Sequence, residues 1–273
     1  MPLCRLCHSQ VKPLRISHIV PKMFYNVIKE KAPTGYMRQS VNPNVSMQDG
    51  LKVPFLCNDC EELFSKYESE FAKRIYTDTV SKDGLNVFES DNDSLAYFLL
   101  SVAWRNMQYT SEVDNMNLTE KEKLERNRIL EQWRLLLLDE KKGQIRKIQQ
   151  FIVPTKNLIF FQSLPRRVFD NVLLGFKTLD EENVFNFAFS LVQVPYFLFI
   201  TTVWGKTGAM KQYKLGKIIK PRKSELPQNI ITVLNNNHIA AFEKARVKLS
   251  DKQKKTIDER VKAKLGTVVT NVL

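Results

Sequence analysis

The sequence has no internal repeat and no low-complexity segment, which excludes solenoids, arrays and coiled-coil rods. No basic-then-apolar stretch ending in small residues opens the chain, so no secretory leader is expected. A cytoplasmic or nuclear compartment is then the default, with the cytoplasm carried forward, and thiols there stay reduced. Only four cysteines are present, which with reduced thiols argues against a disulfide framework. Residues 184–204 have no charged side chain, and residues 206–223 have no acidic one.

What is present describes an ordinary globular chain. At 273 residues, 43% hydrophobic and 26% charged, it has material for one large or two modest domains. The net charge of +13 is unevenly spread. Residues 1–80 hold 11 Lys+Arg against 8 Asp+Glu, a balance of +3, whereas residues 206–273 hold 16 against 5, or +11. Seven of those cations fall within residues 206–223. Such a segment is an electrostatic footprint for polyanions, most often nucleic acid. A solubilising tail and a solvated helix face would look the same, and an anionic membrane surface is a weaker alternative without an amphipathic anchor.

Periodicity divides the chain. Residues 1–60 are rich in Pro, Asn, Gln and Cys and read as loops and short strands around a metal. Leu63, Phe64, Tyr67, Phe71 and Ile75 recur every three or four positions, predicting a helix over 60–76. Asp78 to Asp93 reads as a linker between a unit of residues 1–80 and one of residues 90–273. A second helix is expected at about 94–108, with Leu95, Phe98, Leu99, Val102 and Met107 on its apolar side. Thr119 and Glu122 make a capping-box pattern for a third, running to about Glu140.

Strands follow, at 157–163, around Phe185 to Leu191, at Tyr196–Trp204 and at Lys211–Ile219. Phe185, Phe187 and Phe189 alternate with Asn186, Ala188 and Ser190, which predicts a half-buried strand. Its aromatic face would be core, or an exposed base-stacking platform. Trp104 and Trp133 sit in helical patterns and read as core. The uncharged run 184–204 is long enough to span a bilayer, but Pro195, Asn186 and Gln193 interrupt it, so a hairpin folding at Val194–Pro195 is expected and no membrane span. Helix returns over Gln228 to about Lys248 and again after Ser250, which caps with Gln253. Helices, then an antiparallel sheet, then helices make an α+β chain.

Cys4-Arg-Leu-Cys7 and Cys57-Asn-Asp-Cys60 are two C-x-x-C pairs and use every cysteine. Two thiolates two residues apart suit a tight turn, and two such turns complete a tetrahedral sulfur site for Zn²⁺. Four thiolates leave no open coordination position, so this zinc would be structural. His8, beside Cys7, is an alternative ligand.

Between and after the pairs lie Ser17-His18-Ile19-Val20-Pro21-Lys22 and Leu56-Cys57-Asn58-Asp59-Cys60-Glu61. This bracketed arrangement resembles the zinc-bearing branch of the HNH (His-Me finger, treble-clef) endonucleases, over about residues 1–76. The resemblance implies a zinc-bound ββα module. It implies His18 as the general base that takes a proton from water, a task suited to a group titrating near neutral pH. It puts Glu61 at a ligand position for a catalytic divalent cation, Mg²⁺ or Mn²⁺, which would stabilise the phosphate and leaving oxygen. Ser17 falls at the other ligand position, where the family usually has Asp or His, and a neutral hydroxyl is a poor ligand for a hard cation. Glu62 and Asp49 are further carboxylate candidates. The family's orienting Asn has candidates in Asn44, Asn42 and Gln48. His18 could instead be a turn or core histidine, and Glu61 a carboxylate favoured by the helix dipole.

The leading expectation is therefore a metal-dependent HNH-type nuclease acting on phosphodiester bonds, DNA before RNA. Arg15, Lys22 and Arg38 would hold phosphates. The family resemblance also implies a role in bacterial defence against foreign DNA. Two rivals are a non-catalytic, zinc-stabilised nucleic-acid-binding module, and a scaffold or sensor whose residues 150–273 bind protein.

Overall fold

A computed structural model describes residues 2–270 except 11–12, 33, 40–41, 114–117, 163–172, 180–186, 206–209, 237–243 and 246. It is mixed helix and antiparallel sheet. Strand β1 (Arg15–His18) pairs antiparallel with β4 (Lys52–Leu56). Between them lie helix α1 (Lys22–Lys31) and a small hairpin, β2 (Met37–Arg38) with β3 (Ser46–Met47). On β1 the usual polarity is inverted: Ser17 is fully buried while Ile16 is 62% exposed.

Helix α2 (Asn58–Phe71) starts directly after β4 and continues through a π turn, Ala72–Tyr76, into α3 (Thr77–Ser81). The expected helix over 60–76 thus extends into the segment read as linker. The π turn has a packing reason. Residues five apart on an α-helix stand about 140° apart, but the wider i→i+5 turn brings them to one face. Phe71 and Tyr76 are both buried, with ring centroids 6.0 Å apart.

Helix α4 (Asp93–Val113) is the centre of the molecule. Every residue from Leu95 to Met107 is buried, not one apolar side only. Helix α2 packs on it through Phe71 on Phe98 (4.2 Å between centroids) and Phe64 on Trp104 (6.1 Å). Helices α5 (Glu120–Leu138) and α6 (Lys142–Ile145) and the main sheet pack against it as well. Two polar side chains inside α4 find partners locally or across the core: Ser101 Oγ donates to Phe98 O, and Asn106 Nδ2 to Ser190 Oγ at 2.8 Å. The Thr119–Glu122 capping box forms in full at the start of α5.

The sheet runs in the order β6 (Gln150–Pro154), β9 (Phe197–Trp204), β8 (Phe187–Val194), β7 (Leu173–Leu179), all antiparallel. Strands β8 and β9 fold at Pro195–Tyr196, with Val194 opposite Phe197 and Tyr196 at φ +72°. All eight positions of β8 are buried, so it is covered on both faces rather than half-exposed. Phe187 and Phe189 are core; Phe185 and Asn186 lie outside the described residues. Residues 159–162 form a short helix, α7, and the strand of this region is β6. A short apolar run does not distinguish the two by pattern.

After β9 comes a 3₁₀ turn (Lys211–Tyr213), then β10 (Ile218–Ile219) against β5 (Phe88–Glu89). Helix α8 (Gln228–Leu234) and helix α9 (Asp251–Thr270) follow, and Ser250 Oγ accepts from Gln253 N as expected of an N-cap. No helix among the described residues is long and apolar enough to cross a membrane. The segments 1–80 and 90–273 share one hydrophobic core: Phe24, on α1, packs at 6.0 Å from Phe199, on β9.

Candidate functional site

The four cysteines converge. Their sulfurs all lie within 4.8 Å of one another, none in a disulfide, with Cys7 Sγ and Cys57 Sγ 3.7 Å apart. The first knuckle is closed by His8 N donating to Cys4 O, and His8 itself takes a left-handed φ of +61°. Arg5 N, donating to Phe55 O, fixes this knuckle to β4. Cys57 is the N-cap of α2 and Cys60 sits in its first turn, so the second pair is presented by a helix start. His8 is exposed, and the sulfurs alone make the cluster.

The thiols perturb one another strongly. The Cys60 side chain pulls the Cys4 thiol down to about 4 against the upward push of burial, with the backbone N–H groups of Cys7, Cys57 and Leu6 assisting. Cys4 in turn drives Cys60 upward, and burial raises Cys57. Four close sulfurs cannot all ionise without a cation among them, so the donor set is compatible with structural Zn²⁺. Zinc with four thiolates carries a net charge of 2 − 4 = −2, and Arg134 on α5 stands near to offset it. Its Nη1 donates to Leu6 O at 2.6 Å, while its pKa is raised first by the Glu131 carboxylate it pairs with and to a lesser extent by the Cys7 charge.

A second polar cluster lies at the end of β1. His18 Nε2 is 2.8 Å from Asp49 Oδ1, with side-chain exposures of 19% and 28%. Asp49 also accepts from Gly50 N at 2.9 Å and from Lys52 Nζ at 2.9 Å. Burial pushes the Asp49 carboxyl up, but the bonds from His18, Lys52 and the Gly50 N–H outweigh it and hold the group far below the usual range. The Tyr25 ring, 6.1 Å from the His18 ring, backs the pair. A Cβ on Gly50 would stand 2.0 Å from that ring, so only glycine lets the Asp49 turn close here. Behind the site, Arg105 on α4, 1% exposed, donates from Nη1 to His18 O at 3.0 Å and pairs through Nη2 with Glu68 on α2 at 2.8 Å. His18 is thereby tied at its backbone to the core and at its ring to a carboxylate.

Glu61 lies in the first turn of α2, and its Oε2 is buried with no hydrogen-bond partner among the described residues. Ser17 is sealed, its Oγ 3.5 Å from Arg15 O. Arg15 donates through Nε and Nη2 to Asn58 Oδ1, and Asn58 donates on to Glu62 Oε1. Arg38 donates to Pro43 O and to Gln253 Oε1. Asn44 uses both ends of its amide on the C-terminal segment, donating to Lys248 O and accepting from Ser250 N, each at 2.8 Å. Lys22 is exposed at the start of α1. The contact of the His18 ring runs to Asp49, a residue the sequence marked only as an extra carboxylate. Arg105 and Arg134 carried no signal, because a cation in a helical pattern reads as surface.

Comparisons with protein-family models, with characterised proteins and with solved structures find no match.

Proposed function

We propose that the chain is a metal-dependent, HNH-type nuclease that hydrolyses phosphodiester bonds, DNA before RNA, with His18 as general base. The observation that carries this is the His18–Asp49 pair, partly open to solvent at the Lys52 end of the β1–β4 pair, whose other end leads into the Cys57 knuckle of the four-sulfur cluster. Asp49 takes the Nε2–H and fixes the tautomer, which leaves Nδ1 as the ring nitrogen that can accept a proton. In the reaction a water oxygen bonds to phosphorus, its proton passes to His18 Nδ1, one ester P–O bond breaks, and the departing oxygen takes a proton from solvent. A divalent cation, if bound, would supply charge stabilisation at the phosphate and the departing oxygen. By the family resemblance Glu61 would hold it, and a buried carboxylate oxygen without a hydrogen-bond partner suits a cation ligand. Glu61 sits, however, in the first turn of α2, about two turns before Glu68, the α2 residue joined to His18 through Arg105. Structural zinc keeps β1, β4 and the start of α2 together. A role in bacterial defence follows only from the family resemblance.

One observation favours a second reading. Ser17 stands where a second cation ligand is expected, and it is fully buried. A non-catalytic, zinc-stabilised nucleic-acid binder would need no such ligand. The test is cleavage of plasmid DNA and of RNA by wild type and by His18→Ala, with Mg²⁺, with Mn²⁺ and with chelator. Cation-dependent cutting that falls about 10²-fold or more in the variant, with binding retained, is expected of the nuclease. Binding with no cutting under either cation establishes the second reading.

A further inference from the structure

The basic excess of the C-terminal third has a definite location. Lys211, Lys214, Lys217, Lys220, Arg222 and Lys223 are all exposed, and none has an ion-pair partner among the described residues. Five of the six are lysines at intervals of three. The acidic residues nearest along the segment and across its pairing, Glu225 and Glu89, are exposed and engage none of them.

The backbone beneath these side chains is pinned on both sides. Leu215 N donates to Gln150 O on β6 at 3.1 Å. Ser90 Oγ accepts from the N–H groups of Gly216 and Lys217, both at 3.1 Å, and donates to Lys217 O at 2.7 Å. Ile218 and Ile219 then pair with Glu89 and Phe88. Tyr213 and Ile219 anchor the segment in the core, and the Tyr213 hydroxyl meets Ser224 Oγ at 2.6 Å. A flexible tail would lose chain entropy on binding. Here the ordering has already occurred in folding, so the cations are preorganised.

Helix α9 differs although it too is lysine-rich. Lys254 pairs with Asp251, and Asp258 and Glu259 are interspersed with its exposed lysines. The unopposed positive strip is residues 211–223, not the terminal helix.

We propose that this strip is a docking surface for the phosphate backbone of nucleic acid. Lysine ammonium groups are compact point charges suited to phosphate rather than to forked recognition of base edges, so contact is independent of sequence. A membrane surface is disfavoured: the element is a 3₁₀ turn, bends and a two-residue strand pinned to the body, without the broad apolar helix face that inserts into lipid. The surface extends the nucleic-acid side of the function proposed above, yet it requires neither His18 nor a catalytic cation.

The test is anisotropy with labelled 20-base-pair DNA and RNA duplexes, in chelator too weak to remove zinc, across a salt series. Substituting Lys214→Gln, Lys217→Gln and Lys220→Gln together should weaken duplex binding at least tenfold and reduce the slope of log K against log salt by about 2 to 3. The triple variant Lys252→Gln, Lys255→Gln, Lys262→Gln makes the same charge change on α9 and should alter the slope far less. Equal losses in both triples, or no loss in the first, overturn the proposal. So does wild type that binds phosphatidylserine vesicles but neither duplex. Absence of cleavage leaves the binding result standing and counts only against the nuclease.

Discussion

Among the described residues of 3–60 the regular structure is two paired strands, one ten-residue helix, a hairpin of two-residue strands and the start of α2, with four sulfurs clustered among them. In residues 93–204 a 21-residue helix is buried along most of its length against other helices and a sheet whose two central strands are buried except at Trp204. The first region has many loops and few large core side chains, so its order depends on the knuckles and, when bound, on the metal. The second is ordered by apolar burial and aromatic packing. The difference explains why the site belongs to the first. A loop-rich unit can leave His18, Asp49 and Lys52 partly in water, whereas the helix–sheet body has almost no unburied position near its axis to offer. The body's contribution is Arg105, which reaches from the core to the His18 carbonyl.

Breaking the sulfur cluster should separate the two regions most completely. Cys60→Ser, or removal of zinc by a strong chelator, should abolish stoichiometric zinc and expose amides of residues 3–60 to hydrogen exchange while those of α4 stay protected. Simultaneous loss of protection in α4 would show that the regions are not separable. Arg105→Ala tests the joint between them. It leaves Glu68 without its partner and the His18 carbonyl without its donor. A loss of about 3–5 kcal/mol in urea unfolding is expected for a broken buried pair. A loss under 1 kcal/mol would mean that the joint is carried by apolar contacts alone.

Asp49→Asn acts within the first region and depends on pH. The folded Asp49 carboxyl lies below its unfolded value of about 3.9. Its stabilising effect is therefore fully present above that unfolded value and is lost as pH falls through the lower folded one. Wild type should exceed the Asn variant in urea stability at pH 6, with the gap closing below pH 4; a constant gap would point to lost packing. Thr119→Ala is the smallest effect, about 1 kcal/mol from the capping box of α5, and should leave zinc content unchanged.

Much of this could be read from residue order because the physics was local. The cysteine pairs, the capping box at Thr119, the N-cap at Ser250 and the turn at Pro195 each involve groups a few residues apart. The site was less legible. His18 and Asp49 are 31 residues apart, and their pairing follows from the β1–β4 register and from Tyr25 leaving room only for Gly50. Asn44 could be singled out as an orienting amide, yet it faces a segment 204 to 206 residues away. Residues 159–162 went to helix and β8 to a two-sided core because neighbours, not pattern, decide how a short apolar run is covered.

By itself the sequence determined that two C-x-x-C pairs exist, that helices precede and follow an antiparallel sheet, and that positive charge gathers between Lys211 and Lys223. These are matters of spacing and composition, and they hold wherever the chain goes. Tertiary structure decided which carboxylate meets His18, which face of β1 turns inward, and which cations remain unpaired. Those outcomes depend on distances between segments far apart in the chain, which only the packed core fixes.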